Sequence, residues 1–153
     1  MTTGPAFRFR LERVRAVRER NEKLAKQELA EALSRRASTE AELLAADAQL
    51  ERAQAEHRAI AAEVETLGAT ELLARQLFLE RVEEQRGARV GELRARDAEV
   101  AERDAKLVVA ASEHEMLNRL KERRRGEHDR ELAGRERDAL DEIATVRHGR
   151  DSR

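Results

Sequence analysis

The sequence predicts an all-α fold, a long antiparallel two-helix coiled-coil hairpin. Three observations lead there. Of 153 residues, 41% are Asp, Glu, Lys or Arg, 2% are aromatic and one is proline, the composition of a helical rod rather than a compact globule. The apolar residues recur at helical spacing and the charges are mixed, with net charge −1, which separates the chain from a disordered polyelectrolyte. The pattern is interrupted near its midpoint by Leu67-Gly68-Ala69-Thr70, a link so short that it reverses the chain between neighbouring helices, the other arrangements being a domain-swapped dimer or one continuous helix in a parallel dimer.

Met1 to Ala6, with Gly4 and Pro5, reads as a frayed lead-in. The first helix is expected from about Phe7 to Leu67. Phe7, Leu11, Val14 and Val17 step by four, three and three, which places them on one helix face. From Leu43 the pattern becomes a heptad: Leu43, Leu50, His57 and Val64 are seven apart, and Ala46, Ala53, Ile60 and Leu67 follow each by three. That is an a/d seam, and its alanines imply close approach of a partner helix. The early and late patterns do not share one register by eye, so a stutter is expected between Leu29 and Leu43.

At the turn, Gly68 is expected in the left-handed conformation that ends a helix, and Thr70 as the cap of the next. Glu71 puts negative charge at that helix's positive end. The second helix is expected from about Glu71 to about Arg147. Leu72, Leu79, Leu93, Val100 and Leu107 lie on one seven-residue grid, weakened by Arg86 and His114, with Val82, Ala110 and Leu117 as companions. Between Leu120 and Ala139 charge dominates. Gly126 and Gly134 each cost roughly 1 kcal/mol of helix stability there, so this segment is expected to be helical only when docked. The second helix overhangs the first.

Charge is segregated. Arg8 to Lys26 is net +5, Glu40 to Glu65 net −5 and Arg119 to Arg137 net +3. A hairpin brings the two basic stretches together at its open end, which then prefers an acidic surface. The run Arg123-Arg124-Arg125 is interleaved with acids and has no aromatic for base stacking, so a protein-docking surface is favoured over nucleic acid.

Catalytic signals are missing: there is no phosphate-binding glycine loop, no His-Glu-x-x-His and no cysteine, and the four histidines show no metal-ligand spacing. His57 and His114 read as polar seam residues. Neither enzyme activity nor a cofactor is expected. No apolar run approaches the roughly 20 residues of a membrane span, and arginines break up the N-terminus, so neither an anchor nor a secretory signal is read. Leu72, Leu73, Leu77, Phe78, Leu79 and Val82 form the densest apolar cluster. Part of it serves the seam. The rest is either covered by the end of the first helix or exposed as a protein-binding patch.

The start Phe7-Arg8-Phe9-Arg10-Leu11-Glu12-Arg13-Val14, then Ala25-Lys26-Gln27-Glu28-Leu29-Ala30, resembles the N-terminal pattern of the flagellar export protein FliJ family. Leu117 to Arg125, closing with Leu140-Asp141-Glu142-Ile143-Ala144, resembles that family's late pattern. The resemblance implies a non-enzymatic stalk in the flagellar type III export apparatus, at the cytoplasmic face of the inner membrane and reaching the membrane only through partners. It implies binding to a FliI-like export ATPase by the open end, here Arg8, Arg10, Arg13, Arg119, Lys121, Arg123, Arg124 and Arg125. It also implies an FlhA-like export-gate contact near the tip, here Phe78 and Val82, together with export chaperones. Gln85 stands where that gate pattern has a small residue. The alternatives are a generic coiled-coil tether and a stalk of a related virulence-type secretion system.

Overall fold

A computed structural model describes residues 6–62 and 68–151, with side chains to residue 148. It contains two helices packed against each other as a hairpin, α1 (Glu12–Ala61) and α2 (Ala69–Asp151). Internal contacts divide into two units. One draws on the chain up to Lys23 and from Val109 onward, the other on Leu24–Val108.

In the Leu24–Val108 unit, the side of α1 that faces α2 repeats every seven residues without a break. Ala25, Ala32, Thr39 and Ala53 are buried, and Ala46 and Ile60 on the same grid are half-buried. The companion column Leu29, Arg36, Leu43, Leu50 and His57 is half-buried throughout. The stutter expected between Leu29 and Leu43 is therefore absent. Ala32, Arg36 and Thr39 carry the seam through the gap, whereas Leu33 lies outside it, 47% exposed. A small, a charged and a hydroxyl residue hold core positions there. The Thr39 hydroxyl donates to the Arg35 carbonyl at 3.1 Å, so its burial leaves no unpaired donor.

On α2, Leu79, Leu93, Val100 and Leu107 are half-buried on their seven-residue grid as expected, whereas Leu72, the first position of that grid, is exposed, and Val82 is 2% exposed. The second column holds arginine: Arg75, Arg89, Arg96 and Arg103 are all half-buried. By the register of the ion pairs, this arginine column lies level with Leu29, Arg36 and Leu43 of α1, and the Leu79, Leu93, Val100 and Leu107 column lies level with the small residues. The Nε atoms of Arg75 and Arg103 are withdrawn from water without a hydrogen-bond partner, which places the base of each guanidinium within the interface. Antiparallel register is marked by ion pairs whose numbers rise on α1 as they fall on α2: Glu28–Arg103 at 2.7 Å, Arg35–Glu99 at 2.7 Å, Arg36–Asp97 at 2.6 Å, Glu42–Arg89 at 2.8 Å and Asp47–Arg86 at 2.7 Å. Most of these groups stay partly solvated, and such pairs contribute roughly 0–1 kcal/mol each, so they select register more than they stabilise.

The turn departs from expectation. Gly68 is not in the left-handed region. Its carbonyl accepts from the N–H groups of Glu71 at 3.0 Å and Leu72 at 3.3 Å, so Gly68 opens α2 rather than closing α1. Thr70 consequently lies inside the first turn of α2 instead of capping it, and Glu71 holds the first-turn acidic position. Residues 63–67, including the expected seam positions Val64 and Leu67, lie outside the described residues, as does the lead-in 1–5.

α2 runs helical through Gly126 and Gly134 to Asp151, past the end expected near Arg147. A Cβ at Gly87 or Gly91 would meet no neighbour within 4 Å, so neither glycine is required by close packing.

Ala32 is fully buried. Ala32→Leu is expected to overpack the seam and destabilise the hairpin by about 1–3 kcal/mol. The check is urea unfolding followed by helical circular dichroism; an unchanged midpoint would place Ala32 outside the tight column.

Candidate functional site

The unit built from both ends of the chain is held by polar groups. Lys121 bonds Glu12 at 2.9 Å, Arg15 donates to Asn118 Oδ1 at 3.3 Å, Arg18 pairs with Glu113 at 2.7 Å, and His114 Nδ1 lies 2.6 Å from Glu22. The Asn118 amide nitrogen lies 3.2 Å from His114 Nε2. Because Asn118 accepts from Arg15 through its oxygen, its amide nitrogen is the group that faces the ring. His114 therefore accepts at Nε2 and donates from Nδ1 to Glu22. Sequence reading placed His114 on the seam but missed this four-residue relay. Its only signal was a histidine where the grid called for an aliphatic residue.

The expected apolar face at this end is not the seam. Leu11, Val14 and Val17 are exposed, because Glu12, Arg15, Arg18 and Glu22 occupy the α2-facing positions. Nor is Phe7 helical. α1 begins at Glu12, whose N–H bonds the Phe9 carbonyl at 3.2 Å. Before it, Phe7 and Phe9 are half-buried while Ala6, Arg8 and Arg10 are exposed, a two-residue alternation proper to an extended segment. The Phe7 ring meets the His128 imidazole edge-on, with centroids 5.7 Å apart and planes at 72°.

Clefts of about 600 Å³ and about 1130 Å³ open beside this segment. The smaller is bordered by Arg8, Arg10 and Arg124, the larger by Arg8, Arg10, Arg13, Lys121 and Arg125. Six of the eight basic residues singled out by sequence are thus brought together, while Arg119 and Arg123 border neither cleft. Lys121 is committed to Glu12, Arg124 to Glu127 at 3.0 Å and Arg119 to Glu115 at 2.9 Å. Among the described residues, Arg8, Arg10, Arg13 and Arg125 are the cleft cations without an ion-pair partner. The Nδ1 of His128, between the clefts, is out of contact with water and has no hydrogen bond.

The second surface lies early on α2. Phe78 is 49% exposed, and Leu73 and Leu77 are more exposed still. Val82 is in the seam instead, so the two residues of the expected gate contact do not share a surface. Among the described residues no group of three metal-ligating side chains comes together, and no helix is long and apolar enough to cross a membrane.

Fold and surfaces together define a two-helix coiled-coil protein that exposes one basic and one apolar surface. The family model described as Flagellar FliJ protein matches residues 7–153, and the chain belongs to that family. It is therefore a component of the flagellar export apparatus, in a family of structural rather than catalytic parts. No curated protein and no solved structure matched the chain.

Lys121 and Arg15 hold the Glu12 carboxyl below the ordinary carboxylate value of 4.5, and Lys23 does the same for Glu19. Stability from such groups is fully present above the ordinary value and is lost as pH falls through the lower, folded one. Thermal unfolding is therefore expected to shift to lower temperature below about pH 4.5, and less so in Glu12→Gln. An identical acid response in that variant would remove Glu12 from the account.

Proposed function

We propose that the chain is a connector in the flagellar export apparatus. Its N-terminal segment and the adjoining part of α2 bind the export ATPase and promote assembly of the ATPase ring. The exposed apolar surface around Phe78 contacts the export gate, and the helices also engage export chaperones. Action is at the cytoplasmic face of the inner membrane, which the chain reaches through these partners. The observation that carries the reading is the gathering of unpaired Arg8, Arg10, Arg13 and Arg125 around the segment held by Phe7 and Phe9. Unpaired cations beside an apolar anchor suit an acidic protein surface, because their charge is not already neutralised within the chain.

The test is steady-state ATP hydrolysis by the cognate export ATPase at concentrations where its ring is only partly assembled. The wild-type chain is expected to stimulate it. Arg13→Glu with Arg125→Glu is expected to raise the concentration needed about tenfold, equivalent to ~1.4 kcal/mol. Stimulation at unchanged concentration would remove the cleft from the ATPase contact.

At the other surface, Phe78→Ala is expected to weaken gate binding about tenfold, as for an interface anchor, while leaving helicity intact. Val82→Ala should act differently, lowering thermal stability first, because Val82 lies in the seam. Gate affinity untouched by Phe78→Ala would return that residue to a purely structural role.

A further inference from the structure

The face that α2 turns toward the start of the chain continues past the point where its partner ends. His114 and Lys121 on that face bond Glu22 and Glu12, His128 meets Phe7, and Leu132 borders the cleft beside the N-terminal segment. Continued at helical spacing, the same face carries Ala139, Ile143 and Val146, with Leu140 along its edge. Every residue from 135 to 148 is exposed, including Leu140 at 65%, Ile143 at 53% and Val146 at 54%. An established packing face thus runs on as an uncovered apolar stripe.

We propose that this stripe is a self-association surface, on which two copies of the chain pair their α2 tails antiparallel. Each tail takes, on the other, the place that α1 and the N-terminal segment hold upstream. The identity of the occupant follows from the charges that flank the stripe. Glu136 and Arg147 lie along one edge, Arg135 and Glu142 along the other. Among the described residues none of these four has an ion-pair partner within the chain. A two-fold axis crossing the tails near Leu140 reverses the order of residues between copies. Glu136 then meets Arg147 of the second copy, and Arg135 meets Glu142, each pair formed twice. Such self-complementarity is what a two-fold interface requires.

The tail is short, so the contact falls at the small end of interface sizes. A dimer half-formed on the order of 100 µM is expected, favoured wherever several copies are held at one assembly.

The experiment is sedimentation equilibrium of the full chain from low micromolar to millimolar concentration. The wild-type chain is expected to pass from monomer to dimer. Ile143→Asp should raise the dissociation constant at least about tenfold with the far-ultraviolet helical signal retained. Glu136→Arg and Arg147→Glu should each weaken the dimer, and the double variant should restore it, because the pair is rebuilt with its signs exchanged. A chain monomeric at every concentration would overturn the proposal, as would a dimer indifferent to Ile143→Asp. Failure of the double variant to recover would overturn the antiparallel arrangement. A monomer in which Ile143→Asp weakens ATPase stimulation assigns the stripe to that partner and overturns self-association, while leaving the proposed ATPase contact standing.

Discussion

Close approach of α1 and α2 depends on a column of small side chains. Ala25, Ala32, Thr39 and Ala53 are the buried residues of α1, and no buried hydrophobic residue described in the chain is larger than valine. A seam this shallow withdraws little apolar area per layer, so the hairpin is held by many small contributions rather than by a few large ones. The half-buried arginines of α2 line the second column, level with Leu29, Arg36 and Leu43, where an arginine covers the interface with its stem while its head remains hydrated or paired.

The same economy leaves large apolar residues outside. Leu44, Leu73, Leu77, Phe78 and Leu140 are exposed although they are among the bulkiest residues of the chain. In a compact globule they would be core. Here the seam has no room for them, and they stand on the surface instead. The polar relay from Arg15 through Asn118 and His114 to Glu22 has a related effect. By giving the seam positions near both termini to hydrogen bonds, it sends Leu11, Val14 and Val17 to the surface.

The sequence made the helical class, the antiparallel pairing and most of the α2 grid legible, because heptad periodicity is a direct image of helix packing. It misled where the seam abandons apolar residues. The spacing suggests a stutter between Leu29 and Leu43 because no leucine marks the seam there, whereas the physical register passes through Ala32, Arg36 and Thr39. Phe7 was assigned to a helix because four-residue spacing to Leu11 is also what an extended segment running into a helix produces. Gly68 was read as a helix end because glycine commonly ends helices, yet its carbonyl starts one. Of the basic residues, sequence identified the cluster but not its sorting. Which arginines are neutralised internally depends on carboxylates brought near by folding, such as Glu12 beside Lys121.

An alanine column repeating every seven residues carries an ambiguity of its own. If one helix slid along the other by a single heptad, alanine would again face the same kind of neighbour and shape complementarity would barely change. The ion pairs would not survive: Glu28 would leave Arg103, Arg35 would leave Glu99, and Asp47 would leave Arg86. Alignment of the two helices is thus encoded electrostatically, while their cohesion is encoded sterically. Ionic strength therefore acts on the two unequally, eroding the preference for one alignment before it loosens the association.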